Sequence, residues 1–214
     1  CSTVFLQRAD LYKFSIPYFY DYCHLRIFCM EKNLIQDPTN CLKIALFGPE
    51  STGKTTLAKA LAAHYNTLWV PEYAREYLEE KWHKTGQICA PKDIYHIALG
   101  QMKLENEAAQ QANKLLFCDT TLLSTQVYSE AYFEGWCDER IVQANDKNQY
   151  DIYFLTDIDV PWEKDLLRDR PHQREEMFAR FKSALTRRNL TFVTLSGTTE
   201  TRLKQAIGHL SQLL

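Results

Sequence analysis

The chain has no block of lysine or arginine, and its formal net charge is −2 over 214 residues. Docking on nucleic acid or on an anionic membrane surface therefore has no electrostatic support. No apolar run approaches the roughly 18 residues that a membrane span requires. No C-x-x-C pair occurs, and no Cys/His cluster has zinc-ligand spacing, which argues against a zinc site. The seven cysteines are odd in number and read as free or buried thiols of a reduced, cytoplasmic protein. Internal repeats and low-complexity tracts are missing. So is a good signal peptide: Arg8, Asp10, Lys13 and Pro17 interrupt an aromatic-rich start. The first methionine is Met30, and a short polar lead follows it. Residues 1–29 are expected to be an extension outside the core fold, the alternative being an aromatic-rich arm packed on it, and residues 30–214 a single domain.

What is present begins with a hydrophobic fraction of 45%, enough for a substantial core. Gly48-Pro49-Glu50-Ser51-Thr52-Gly53-Lys54-Thr55 is G-x-x-x-x-G-K-[ST], the phosphate-binding P-loop. It follows a short apolar run at 42–47, which reads as a buried strand, and precedes a helical pattern at 56–64. Glycine lets backbone N–H groups turn inward around phosphate oxygens, and the helix N-terminus adds partial positive charge. The expected nucleotide-binding residues are Gly48, Glu50, Ser51, Thr52, Gly53, Lys54, Thr55 and Thr56. Lys54 would reach the β- and γ-phosphates of ATP, and the Thr55 hydroxyl would ligate Mg²⁺.

Further apolar runs at 67–70, 114–119, 150–156 and 190–195 read as strands. Helical patterns occupy 72–78, 92–113, 120–132, 175–186 and 200–213, with Pro71 just ahead of the first. Residues 135–147 read as polar, irregular and mobile, and 157–173 as a loop. Strands alternating with helices predict an α/β fold: a five-stranded parallel sheet covered on both faces. Ligands bind beyond the carboxyl ends of such strands. One rim should therefore carry the P-loop, Glu72, Asp119, the 157–173 loop and Ser196-Gly197.

Asp119 ends a buried strand on that rim. It could hold Mg²⁺ and accept a proton from an attacking hydroxyl, or simply cap the next helix. Three arginines lie between positions 168 and 174. Arg168 and Arg170 are the expected phosphate-facing cations of a lid, while Arg174 should begin the next helix. The catalytic set is thus Lys54, Asp119, Arg168 and Arg170. Glu72 and Arg75 fall in a helix's first turn, where they could face the acceptor or serve the helix alone. Tyr73, Tyr77, Tyr128, Tyr132, Trp136 and Trp162 could stack on an aromatic acceptor or pack in the core.

Four stretches, taken in order, are more specific than the P-loop: GPESTGKTTLA, PEYAREYL, CDTTLLSTQVYSEAYFEG and LTDIDVPWEKDLLRD. Together they resemble the ribosylnicotinamide kinase domain of NadR-type proteins, over residues 42–214. The resemblance implies a P-loop kinase that phosphorylates the 5′-hydroxyl of nicotinamide riboside, a small-molecule nucleoside, with ATP. It places Glu72, Tyr73 and Arg75 in an acceptor-side E-Y-x-R element. It makes Asp119 the acid of a D-T-D element and puts Trp162, Asp165 and Arg168 in the lid, with Trp162 toward the substrate. Pro71 stands where an aromatic is frequent, Thr121 replaces the second acid, and Leu166 replaces a lid glycine. The [HT]-x-G-H nucleotidyl-transfer motif of such proteins is missing, so a stand-alone kinase domain is expected.

Overall fold

The computed structural model describes residues 34–163 and 172–214. The N-terminal stretch 1–29, the lid residues Asp165 and Leu166, and the arginines Arg168 and Arg170 lie outside the described residues.

Short apolar runs become strands because a parallel sheet buries both of its faces. The strands are β1 (Leu42–Phe47), β2 (Leu68–Val70), β3 (Leu115–Asp119), β4 (Ile152–Thr156) and β5 (Phe192–Leu195). They pair in parallel in the order β2-β3-β1-β4-β5. The P-loop strand is therefore central. Its neighbour β3 carries the candidate carboxylate, and the register sets Leu46 opposite Asp119.

Seven helices complete the described fold: α1 (Lys54–Tyr65), α2 (Tyr73–Thr85), α3 (Pro91–Ala109), α4 (Leu122–Tyr132), α5 (Glu139–Lys147), α6 (Arg174–Arg187) and α7 (Thr199–Leu210). Side chains alternate across each strand. Ile44 and Leu46 meet Leu57 and Leu61 of α1 and Ala206 and Leu210 of α7. Ala45 and Phe47 meet Leu123 and Val127 of α4 and Met177 and Phe181 of α6. Phe47 sets its ring edge-on against Phe181, with centroids 4.7 Å apart. Helices thus cover both faces, as expected.

One expectation fails. Residues 135–147 are not irregular throughout, because nine of them form α5. Asp138 caps this helix by accepting from the Arg140 N–H at 3.0 Å, and Ile141 and Ala144 are buried beneath it. Ile141 and Ala144 share one face at i, i+3 spacing, but the helix is only nine residues long and its other positions are mostly polar. Helix α2 also runs further than 72–78. It has no fully buried residue and stops at Gly86, which takes φ 65 at the C-cap. Among the described residues no helix is long and apolar enough to cross a membrane. Cys41, Cys89, Cys118 and Cys137 are free thiols.

Candidate active site

The P-loop leaves β1 through Gly48, whose φ is 139. A Cβ there would stand 2.7 Å from Thr156 Oγ1 and 3.0 Å from the Thr156 carbonyl oxygen at the end of β4. Only glycine allows the two strand ends to approach so closely. Ser51 and Gly53 then take left-handed conformations, with φ 55 and 78. Gly53 is the N-cap of α1 and has no side chain to offer the first N–H groups. Unsatisfied donors at a helix start form an anion site. The loop is braced from behind: Thr52 Oγ1 donates to the Pro49 carbonyl at 2.8 Å and lies 2.7 Å from Thr156 Oγ1. Lys54 Nζ donates to the Pro49 carbonyl at 2.7 Å, so its ammonium folds back over the loop.

Asp119 is 1% exposed, at the end of β3. It does not cap α4. That role falls to Thr121, whose side chain accepts from the Ser124 N–H at 3.3 Å. The intervening Thr120 takes φ 122, a strained value for a β-branched residue, and it turns the chain away from the carboxylate. Asp119 instead accepts a hydrogen bond from the Thr55 hydroxyl. Neighbouring strand ends thus bring together the two expected metal ligands.

Glu72 is the N-cap of α2, one strand further along the rim. Burial pushes its carboxyl up from the usual range. The Lys54 and Arg75 cations pull it down, while Asp119 and Glu50 push it further up. Asp119 is likewise raised by burial, against the pull of Lys54, the Thr55 hydroxyl and Arg75. Burial is the leading cause at both carboxyls, and it outweighs the cations beside them. A hydroxyl and a carboxylate in contact at a P-loop are hard oxygen donors of the kind Mg²⁺ takes. The residues present therefore fit Mg²⁺.

The remaining expected residues fall as follows. Arg75 lies 3.4 Å from Glu79, one turn on, a surface pair that leaves its charge felt at both rim carboxyls. Tyr73 takes its place within the fold. Its N–H donates to Gln101 Oε1 at 2.9 Å, and its ring lies on Gly100 of α3. Trp162 Nε1 donates to Glu50 Oε1 at 3.4 Å, and the Glu163 N–H donates to Ser51 Oγ at 2.9 Å. Arg174 begins α6, as expected, yet it also reaches the Ser51 carbonyl at 3.4 Å. Contacts on both sides of the undescribed stretch therefore converge on the P-loop. Sequence reading missed Thr156, Arg174 and Arg202 as P-loop neighbours. Arg202 donates to the Thr52 carbonyl from α7. None of the three carries a local pattern that ties it to the P-loop.

Residues 43–202 match the family model described as an AAA domain. Over 125 residues the chain is 33% identical to the trifunctional NAD biosynthesis/regulator protein NadR of Salmonella typhimurium, covering 58% of this chain and 30% of that protein. Against the same protein of Escherichia coli K12 the figures are 34% over 127 residues, 58% and 30%. The match thus spans less than a third of the length of these relatives. The crystal structure of NadR protein in complex with NR has a TM-score of 0.65 at 23% identity, covering 81% of this chain and 51% of that one. Deoxyadenosine kinase from M. mycoides has a TM-score of 0.60 at 15% identity, covering 80% of this chain and all of that one. The shared fold is that of P-loop kinases.

Proposed function

The chain belongs to the AAA domain family, and from that premise we propose that it is an ATP-dependent kinase converting nicotinamide riboside to nicotinamide mononucleotide. The observation that carries this reading is the contact of Thr55 with Asp119 at the mouth of the P-loop, with Glu72 and Arg75 across the rim. The NadR relatives and the NadR structure named for its NR complex support the choice of acceptor. ATP lays its phosphates on Gly48, Glu50, Ser51, Thr52, Gly53, Lys54, Thr55 and Thr56. Thr55 and Asp119 would hold Mg²⁺, which supplies positive charge at the β- and γ-phosphates when bound.

The acceptor's 5′-oxygen attacks the γ-phosphorus, the bond to the ADP oxygen breaks, and a rim carboxylate takes the hydroxyl proton. Asp119 is the proton acceptor in this reading and Glu72 orients the ribose. Lys54 and Arg174 stabilise charge on the transferring group, together with Arg168 and Arg170 of the lid. Trp162 and the E-Y-x-R residues Glu72, Tyr73 and Arg75 shape the acceptor side. The kinase domain spans 30–214, and the free thiols suit a reducing cytoplasm.

The test is ATP consumption with Mg²⁺ across a nucleoside panel that includes nicotinamide riboside, with the product identified by mass. Acceptor-dependent formation of nicotinamide mononucleotide supports the proposal. ATP binding without turnover on any acceptor refutes it and leaves a nucleotide-sensing module.

A further inference from the structure

Arg202 stands out among the groups that the proposed chemistry leaves unused. It is 2% exposed and is the largest fully buried side chain of the described residues. Burying a guanidinium is costly, and the cost is offset only where its donors are matched; the two terminal nitrogens are matched here, while Nε is buried without a hydrogen-bond partner among the described residues. Here one end donates to the Thr52 carbonyl in the P-loop. The other end donates to the Asp157 carbonyl at 3.0 Å and to the Asp159 carboxylate. Asp159 in turn accepts from the Gly197 N–H, and Asp157 Oδ2 accepts from Ser196 Oγ at 2.8 Å. One cation therefore joins three loops: the P-loop, the segment after β4 and the β5–α7 turn.

The contact with Thr52 has a directional consequence. The C=O and N–H of a trans peptide point in opposite directions. Holding the Thr52 carbonyl toward α7 turns the Gly53 N–H away from α7. Arg202 Nη1 lies 3.7 Å from where a Gly53 Cβ would stand, so the guanidinium is packed directly behind this peptide. Freed of this contact, the peptide could rotate, because glycine allows it. Phosphate binding would then have to order it.

We propose that Arg202 is a positioning residue that fixes the Thr52–Gly53 peptide so that the Gly53 N–H faces the nucleotide phosphates. The inference rests on the reading of Gly48–Thr55 as a phosphate site, but not on the identity of the acceptor. Lysine cannot replace arginine here. Its ammonium is a point charge, whereas the rigid guanidinium fork spans Thr52 on one side and Asp157 and Asp159 on the other.

The experiment measures equilibrium binding of ATP with Mg²⁺ and of inorganic tripolyphosphate, by competition against a fluorescent ATP analogue. It compares wild type, Arg202→Lys and Asp159→Asn. Leu210→Ala, a core truncation in the same helix, serves as a control for lost stability. Arg202→Lys should weaken both ligands in the same proportion, by about tenfold, the size of one charged hydrogen bond. Asp159→Asn keeps its shape and should weaken both by a smaller factor. Leu210→Ala should melt earlier but bind both ligands as wild type does. Loss confined to ATP would move the role of Arg202 to the nucleoside end and overturn the inference. Wild-type binding in Arg202→Lys, or equal loss in Leu210→Ala, would also overturn it. None of these readouts needs turnover. Failure of the kinase reading, seen as no acceptor-dependent turnover, is therefore separable from failure of this one.

Discussion

Changing Asp119 to asparagine separates its chemical role from its structural one. Asp119 is 1% exposed, so solvent does little to screen its charge. Asparagine keeps the shape and still accepts from the Thr55 hydroxyl. A bond to a charged acceptor contributes about 1.5–3 kcal/mol and a neutral one about 0.5–1.5, so the exchange costs on the order of 1 kcal/mol. Against this, burial already pushes the carboxyl toward its protonated form, so removing the charge relieves a desolvation cost. Thr121 caps α4, so the cap is untouched. The two effects oppose each other and leave a net change within about 1 kcal/mol, or roughly 2–4 °C in melting temperature for a domain of this size. Turnover should respond very differently. Loss of the proton acceptor should lower it by about a hundredfold or more, near 2.7 kcal/mol of barrier. Because a neutral amide oxygen would replace the charged carboxylate as a donor to Mg²⁺, half-maximal activity should need more of the metal. The assay is steady-state turnover across a Mg²⁺ titration, with a thermal melt on the same preparation. Wild-type turnover at an unchanged melting temperature would remove Asp119 from the chemistry and point to Glu72 as the base.

Three further outcomes are expected. Lys54→Ala should fold, because the ammonium lies at the rim and donates to the Pro49 carbonyl instead of packing in the core, yet lose about a hundredfold or more in turnover; near-normal turnover would contradict the P-loop assignment. Gly100→Ala places a Cβ 2.0 Å from the Tyr73 ring, so α2 and α3 must separate. Chemical denaturation should show a loss of about 1–3 kcal/mol or more, and an unchanged midpoint would show that the two helices pack otherwise. Burial raises the Asp93 carboxyl, but the Lys81 ammonium at 2.5 Å, the Ala90 N–H and the Tyr77 hydroxyl more than reverse this, and the net shift is downward. A lowered folded value means that this stability is present above the unfolded value, near pH 4, and is lost as the pH falls through the folded one. In Asp93→Asn the acid limb of a stability-versus-pH curve should therefore flatten below about pH 4.

How much of this was legible in one dimension depended on the kind of signal. The strand LKIALF was plain because both of its faces are buried, so the apolar run is unbroken. Asp119 could be picked out because a carboxylate at the end of such a run is rarely decorative. Its second reading, as a helix cap, could be discarded only when Thr121 was seen in that place. Helix α5 was missed because its segment is short and mostly polar, although Ile141 and Ala144 share one face; Asp138 and Glu139 at its start and Lys147 at its end were further clues. Tyr73 was placed on the acceptor side by its motif, and nothing local told that its ring also lies on Gly100. Arg202 sits in TETRLK, which reads as a solvated helix start. Its polar partners lie in two loops distant in sequence, the P-loop and the segment after β4, which a local pattern cannot carry.

The pairing of Leu46 with Asp119 has a bearing on how such a protein could diversify. Strand pairing fixes Leu46 beside Asp119, and the braced P-loop carries the chain from there to Thr55. The spacing between Thr55 and Asp119 owes nothing to the length of chain that separates them. The excursion from Pro71 to Lys114 leaves the sheet and returns to it at fixed points. Its far end, where α2 gives way to α3 around Gly86, hangs well away from both side chains. Glu72 and Arg75 stand at the other end of α2, so insertions, deletions or grafts at that tip leave both the rim and the phosphate machinery with their dimensions. For protein engineering, the hairpin tip is thus the place to vary and the paired strand ends are the place to leave alone.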